Sequence, residues 1–265
     1  MIYAPWTYQV KPLLGAQPNR AHPLCPDYAW LFNEASGAQA FDVASGKVGT
    51  FPSDVGWKST SMGPAADFNG ANGTGIGMSV ALKALPFAYV WWCEFDVLPF
   101  QDYLTMDGNI TSIICGYLAN NFELYTFWRS YTALPIPTDG MMHAYAYVWD
   151  AATLWCVRDG VVVKSTSGFS MANAPAARTL TFLGSAGGGN SCIDGRIAGF
   201  YIAEGQKATL DFALGLHAQP FGWLQTPSLV GMYQEAVPSG HPALRRLGLL
   251  PTGFEFDRSG QTRWV

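Results

Sequence analysis

The stretch VWDAATLWCVRDGVVVKSTS, residues 148–167, decides the fold. It alternates apolar and polar residues on both sides of an Asp-Gly pair. With the two-residue period of an extended strand, Leu154, Cys156 and Arg158 point to one face while Trp155 and Val157 point to the other. Asp159-Gly160 supplies the two positive φ angles of a type I′ turn, so the chain returns through Val161, Val162 and Val163 as the partner strand of a hairpin. Asp150-Ala151-Ala152-Thr153 reads as a second turn just upstream. Three strands joined by short turns make a meander, which predicts an antiparallel sheet with a solvated face.

The same rhythm runs outward in both directions. From Tyr28 to Tyr201, apolar runs of strand length recur between clusters of Gly, Asn, Asp and Ser, among them YAWLFNE, FAYVWWCEFDVL, FELYTFW and IAGFYIAE. That spacing predicts a sandwich or jelly roll. The longest apolar run, Ala84 to Cys93, contains Pro86 and is about half a membrane span, so it reads as a buried strand. A short helix is expected near Thr209 to Gly215, with Pro220 stopping whatever precedes it.

Composition agrees. In 265 residues, 49% are apolar and only 13% charged, with 29 Gly and 17 Pro, which points to many strands and turns rather than exposed helices. The net charge of −4 comes with no basic block, so no nucleic-acid partner is expected. The opening MIYAPWTYQVKPLLG lacks the basic start and apolar core of a secretory signal, so synthesis in a cytoplasm and no membrane partner are expected. Five cysteines without a Cys-x-x-Cys spacing predict neither a disulfide framework nor a zinc site.

Three regions follow. Residues 1–23, with four prolines, read as an extended N-terminal arm, residues 24–223 as the sandwich, and residues 224–265 as a C-terminal docking arm. Trp6 and Tyr8 in the first arm and Leu244, Leu247, Phe254, Phe256 and Trp264 in the second are too apolar for free tails and are expected to dock on a partner.

In motif order, YAWLFNEASGAQAFDVASGKVGTF, GPAADFNGANGTGIGM, MHAYAYVWDAATLWCVRDGVVVKSTS and LTFLGSAGGGNSCIDGRIAGFYIAEGQ resemble the concanavalin A-like, laminin G-type jelly-roll family. The resemblance implies an all-β, antiparallel two-sheet jelly-roll sandwich with extended arms at both ends. Members of the family often carry an Asp-Glu pair where this chain has Ala198-Gly199, which weakens the case for calcium. Glu34, Asp42, Asp67 and Asp194 remain the candidate ligands, against the plainer reading that they order turns.

No catalytic constellation is expected. Glu94-Phe95-Asp96 places two carboxylates on one strand face but offers no third carboxylate beyond them, and Gly168-Phe169-Ser170-Met171-Ala172 lacks the strand-turn-helix context of a nucleophile elbow. The four histidines fall in no metal-ligand or triad pattern.

Two non-enzymatic functions remain. PFGWLQTP, Pro220 to Pro227, resembles a Pro-aromatic-Trp tail that follows such domains in proteins of tailed bacteriophages. On that resemblance the chain is expected to be a virion structural protein, a capsid decoration (cement) protein on the virion surface. Its arms would clamp the major capsid protein or other virion subunits, and it would form a homo-oligomer, with a trimer expected. The alternative is a lectin-like adhesion module that binds a glycan through exposed aromatics, with Trp57, Trp128 and Trp149 as candidates. A glycoside hydrolase of the same fold ranks third.

Overall fold

The computed structural model describes residues 11–12, 16–70, 75–82, 86–97, 102–107, 113–118, 121–126, 134–137, 139–150, 152–168, 178–183, 193–225, 254–256 and 262–264. The chain divides into two units, Met1–Gln225 and Thr226–Val265.

The first strands of the larger unit are β1 (Gln17–Pro18), β2 (Tyr28–Trp30), β3 (Gln39–Phe41), β4 (Val48–Thr50), β5 (Val55–Thr60), β6 (Gly63–Asn69) and β7 (Ile76–Leu82). Then come β8 (Phe87–Val97), β9 (Asp102–Asp107), β10 (Ile113–Leu118), β11 (Asn121–Thr126), β12 (Leu134–Pro135) and β13 (His143–Trp149). The unit closes with β14 (Thr153–Arg158), β15 (Val161–Ser167), β16 (Arg178–Leu183), β17 (Asp194–Glu204), helix α1 (Leu210–Ala218) and β18 (Leu224–Gln225).

Two antiparallel sheets face each other. The first runs β15-β14-β13-β8-β17-β6-β5 with β2 also on β17, and the second runs β12-β11-β10-β9-β16-β7-β4-β3. The all-β sandwich is thus as the sequence predicts. At the centre of the reading, Asp159 (φ 50) and Gly160 (φ 77) make the turn between β14 and β15. Asp150 makes the upstream turn, its Oδ1 accepting the N–H groups of Ala152 at 2.9 Å and Thr153 at 2.7 Å.

Alternate residues of the long strands fill the space between the sheets: Phe87, Tyr89, Trp91, Cys93 and Phe95 of β8 with Tyr145, Tyr147 and Trp149 of β13, against Ala40, Ile76, Met78 and Val80 of the second sheet. Burying a side chain as large as Trp91 removes roughly 150–250 Å² from water.

The solvated face expected for the first sheet is absent over β8, β13 and β17. There the outward residues Ala88, Val90, Trp92, Ala146, Val148 and Tyr201 lie beneath Phe212, Ala213 and Leu216 of α1 together with Phe221 and Trp223. Strands buried on both faces read as continuous apolar runs rather than alternation, which is what FAYVWWC and HAYAYVW are. Helix α1 starts where Thr209 Oγ1 accepts the Phe212 N–H at 3.1 Å and ends before Pro220.

Within residues 11–23, Lys11 and Ala16 are buried, and β1 pairs with β18 through Gln17–Gln225 and Pro18–Leu224. In the smaller unit, β19 (Phe254–Phe256) and β20 (Thr262–Trp264) form an antiparallel hairpin. Trp6, Tyr8, Leu244 and Leu247 lie outside the described residues.

Candidate functional site

The acidic residues named from the sequence do not form one site. Asp42 is buried and organises its turn: Oδ1 accepts the N–H groups of Ala29 at 2.7 Å, Ala44 at 2.8 Å and Ser45 at 3.1 Å, and Oδ2 accepts the Ser45 hydroxyl. Glu34 Oε1 accepts the Phe41 N–H at 2.8 Å. Asp67 lies 3.3 Å from Arg196 Nε, and burial raises the Asp194 carboxyl above the usual range, with Asp96 and Asp67 adding to the effect. Among the described residues no group of three or more His, Cys, Asp or Glu side chains is placed to hold a metal ion. Calcium therefore does not fit Asp42, whose oxygens are already occupied by backbone and hydroxyl donors.

Arg196 explains the pair of carboxylates on β8. It stands in register with Glu94 of β8 on one side and Asp67 of β6 on the other. Its guanidinium bonds both Glu94 and Asp96. A single buried cation therefore holds both groups that a glycosidase reading would need free. The residues around Gly168 that approximate a nucleophile elbow fall outside the described residues beyond Gly168 itself.

The aromatic candidates separate in the same way. Trp149 is in the core, 1% exposed, edge-on to Phe87 at 5.7 Å, and so is not available to a sugar. Trp57 is half-buried, stacked on Phe51 at 4.5 Å, and its N–H donates to the Gly37 carbonyl at 2.8 Å. Trp128 lies outside the described residues.

Among the described residues the aromatic that faces water is Phe41, at 46% exposure, paired across the β3–β4 hairpin with Val48 at 42%. Ala40 and the buried Gly49 face inward, so Gln39 and Phe41 on β3 and Val48 and Thr50 on β4 share the outer face of the second sheet. On β7, which pairs with β4, Ile76, Met78 and Val80 enter the core, leaving Gly77, Ser79 and Ala81 outward. The result is an aromatic ring and an aliphatic side chain beside a low floor of small residues, edged by an amide and two hydroxyls, with the Glu34 carboxylate at the Phe41 backbone. Sequence reasoning missed Phe41 because tryptophans drew attention first; its place opposite the buried Ala40 in a short alternating strand was the available signal.

No protein-family model matches the chain, and no curated protein matches it. Solved structures do. Domain 4 of an extracellular arabinanase from Geobacillus stearothermophilus, in complex with arabinotriose, is similar over 76% of this chain and 98% of that one, at 18% identity and a TM-score of 0.58. Trypanosoma rangeli sialidase, in complex with 2,3-difluorosialic acid, is similar over 74% of this chain at 12% identity and a TM-score of 0.52. The match spans only 33% of the sialidase chain. These likenesses agree with the fold described above, an all-β sandwich.

Proposed function

We propose that the chain is a non-catalytic carbohydrate-binding module that takes a neutral glycan on the outer face of β3, β4 and β7. The observation that carries this reading is the contrast between the two outer faces. Over β8, β13 and β17 the first sheet is covered by α1 and the segment around Trp223, whereas β3 and β4 of the second present Phe41 and Val48 to solvent among Gln39, Thr50 and Ser79. A sugar ring stacks on an aromatic through its C–H face and gives its hydroxyls to amide and hydroxyl neighbours, which Gln39, Thr50 and Ser79 supply here. The arabinanase domain, solved with arabinotriose, is a sandwich of the same kind and supports the class of ligand. Titrating the full chain with arabinotriose and a panel of neutral oligosaccharides by calorimetry tests it. Binding that disappears in a folded Phe41→Ala variant supports the reading, and binding unchanged by that substitution overturns the site.

A second reading is a virion structural protein, made in a host cytoplasm, that fastens to capsid subunits and to its own copies through its termini. It is favoured by the division of the chain at Gln225, which sets residues 226–265 apart as a separate unit with its own hairpin. Light scattering of the full chain beside residues 11–225 tests it: an oligomer that falls to monomers on truncation supports arm-mediated assembly, and equal monomeric masses remove the self-assembly part.

A further inference from the structure

The turn between β14 and β15 is gripped by two histidines that need opposite protonation states. His143, at the start of β13, lies between two carboxylates, with Nδ1 2.8 Å from Asp159 Oδ2 and Nε2 3.1 Å from Asp139 Oδ1. A neutral imidazole has one N–H and would turn a lone pair toward one of these anions; the imidazolium donates to both. Asp159 is at the same time the residue that ties the turn to β13, since its N–H donates to the Ala144 carbonyl at 2.8 Å and its Oδ1 accepts the Ala144 N–H at 2.9 Å.

The next residue is held from the other side. Gly160 N–H donates to Nδ1 of His217, in the last turn of α1, at 2.8 Å. That bond requires an unprotonated Nδ1, so His217 is neutral with its proton on Nε2. The ring is in edge contact with Trp92, 6.3 Å between centroids.

We infer that Asp159-Gly160 is a pH-windowed clamp, closed when His143 is an imidazolium and His217 a neutral imidazole, and loosened on either side of that window. The groups facing each ring fit this reading. Around His143 stand Asp139, Asp159, the ring of Tyr145 and Arg158, whose Nε is 3.8 Å from Asp159 Oδ2 and competes for it. Around His217 stand the Tyr145 backbone, Trp92 and, at longer range, the Asp159 charge. Burial works against charge at both sites. At His143 the bonds to Asp159 and Asp139 outweigh it and raise the pKa above the ordinary histidine value; at His217 burial dominates and lowers it.

The signs set the window. His143 contributes stability that is complete below the ordinary histidine pKa of ~6.5 and is lost as pH rises through its raised value. His217 contributes stability that is complete above ~6.5 and is lost as pH falls through its lowered value. The clamp is therefore tightest near pH ~6.5. The chain leaves this turn as β15, the outermost strand of the first sheet, which exposes Val161, Val162 and Val163.

The test is an NMR titration of the full chain that follows both imidazoles and the exchange protection of the Gly160 amide, corrected for intrinsic exchange. The expected profile is a maximum, with protection falling on each limb by a total set by that histidine's shift and by no more than about tenfold per pH unit, one proton being linked on each side. His217→Asn, whose Oδ1 accepts from Gly160 without titrating, should remove the acid limb alone. His143→Gln should remove the alkaline limb alone. A wild-type profile with no maximum, either histidine titrating at the ordinary value, or variants that keep both limbs would overturn the clamp. The wild-type titration decides the matter even where a variant does not fold.

Discussion

Arg196 and Glu94 stand directly opposite each other on the adjacent strands β17 and β8, and their side chains form an ion pair on the outer face of the first sheet. Because the same guanidinium also serves Asp96 and Asp67, removing it leaves three carboxylates crowded without a counter-charge.

Arg196→Met is therefore expected to cost on the order of 3 kcal/mol in urea unfolding, since breaking a buried pair strands its partners. Glu94→Gln, which keeps an acceptor for the arginine, should cost only about 1 kcal/mol. An unchanged midpoint in Arg196→Met would mean that the carboxylates are well hydrated without it.

Asp42→Ala strips acceptors from three backbone N–H groups and a hydroxyl at a buried turn, and is expected to destabilise by about 2–4 kcal/mol. Asp42→Asn should recover part of this. Adding calcium or a chelator is expected to leave the melting temperature of the wild-type chain where it was; a calcium-dependent rise would restore a metal role to this carboxylate.

Phe41 and Trp149 should part company under substitution. Phe41→Ala, at an exposed position, is expected to leave thermal stability nearly unchanged while abolishing glycan binding, whereas Trp149→Ala should cost roughly 3–5 kcal/mol through the core cavity it opens. Paired calorimetric titrations and melting curves separate the two effects.

How far these residues could be placed from the sequence depended on how local their signals are. Asp159-Gly160 and Asp150 act through backbone within a few residues, so the β13-β14-β15 meander was legible outright, as was the helix capped by Thr209. The sheet faces were harder. Trp149 and Trp57 are the same residue type in similar strands, and only the sheet opposite determines that one ring is sealed and the other half-covered. Arg196 binds Glu94 across 102 residues of chain, so no local spacing could have paired them. The same holds at the N-terminal end, where the prolines and irregular pattern describe an extended chain and give no sign that Lys11 is buried against Phe32 and Pro64.

Lys11 makes a pH prediction of its own. Its Nζ donates to the Phe32 carbonyl at 3.4 Å and to that of Pro64, and burial lowers its pKa to about 7, with Glu34 opposing the shift. A depressed lysine contributes stability that is complete above the ordinary value near ~10.4 and is lost as pH falls toward 7. Lys11→Met should thus be most favourable relative to wild type at pH 7, with its advantage shrinking by pH 9 in urea unfolding. A difference that does not vary with pH would show that the amine is charged in the folded state.

The pairing of β1 with β18 has a consequence for how this domain can be carried. Gln17 and Gln225 are register partners, so the two ends of the 17–225 segment lie side by side, with Lys11 and Ala16 ahead of them buried in the same unit. A domain with that geometry can be spliced as a cassette into a surface loop of an unrelated host without prising the host's loop ends apart.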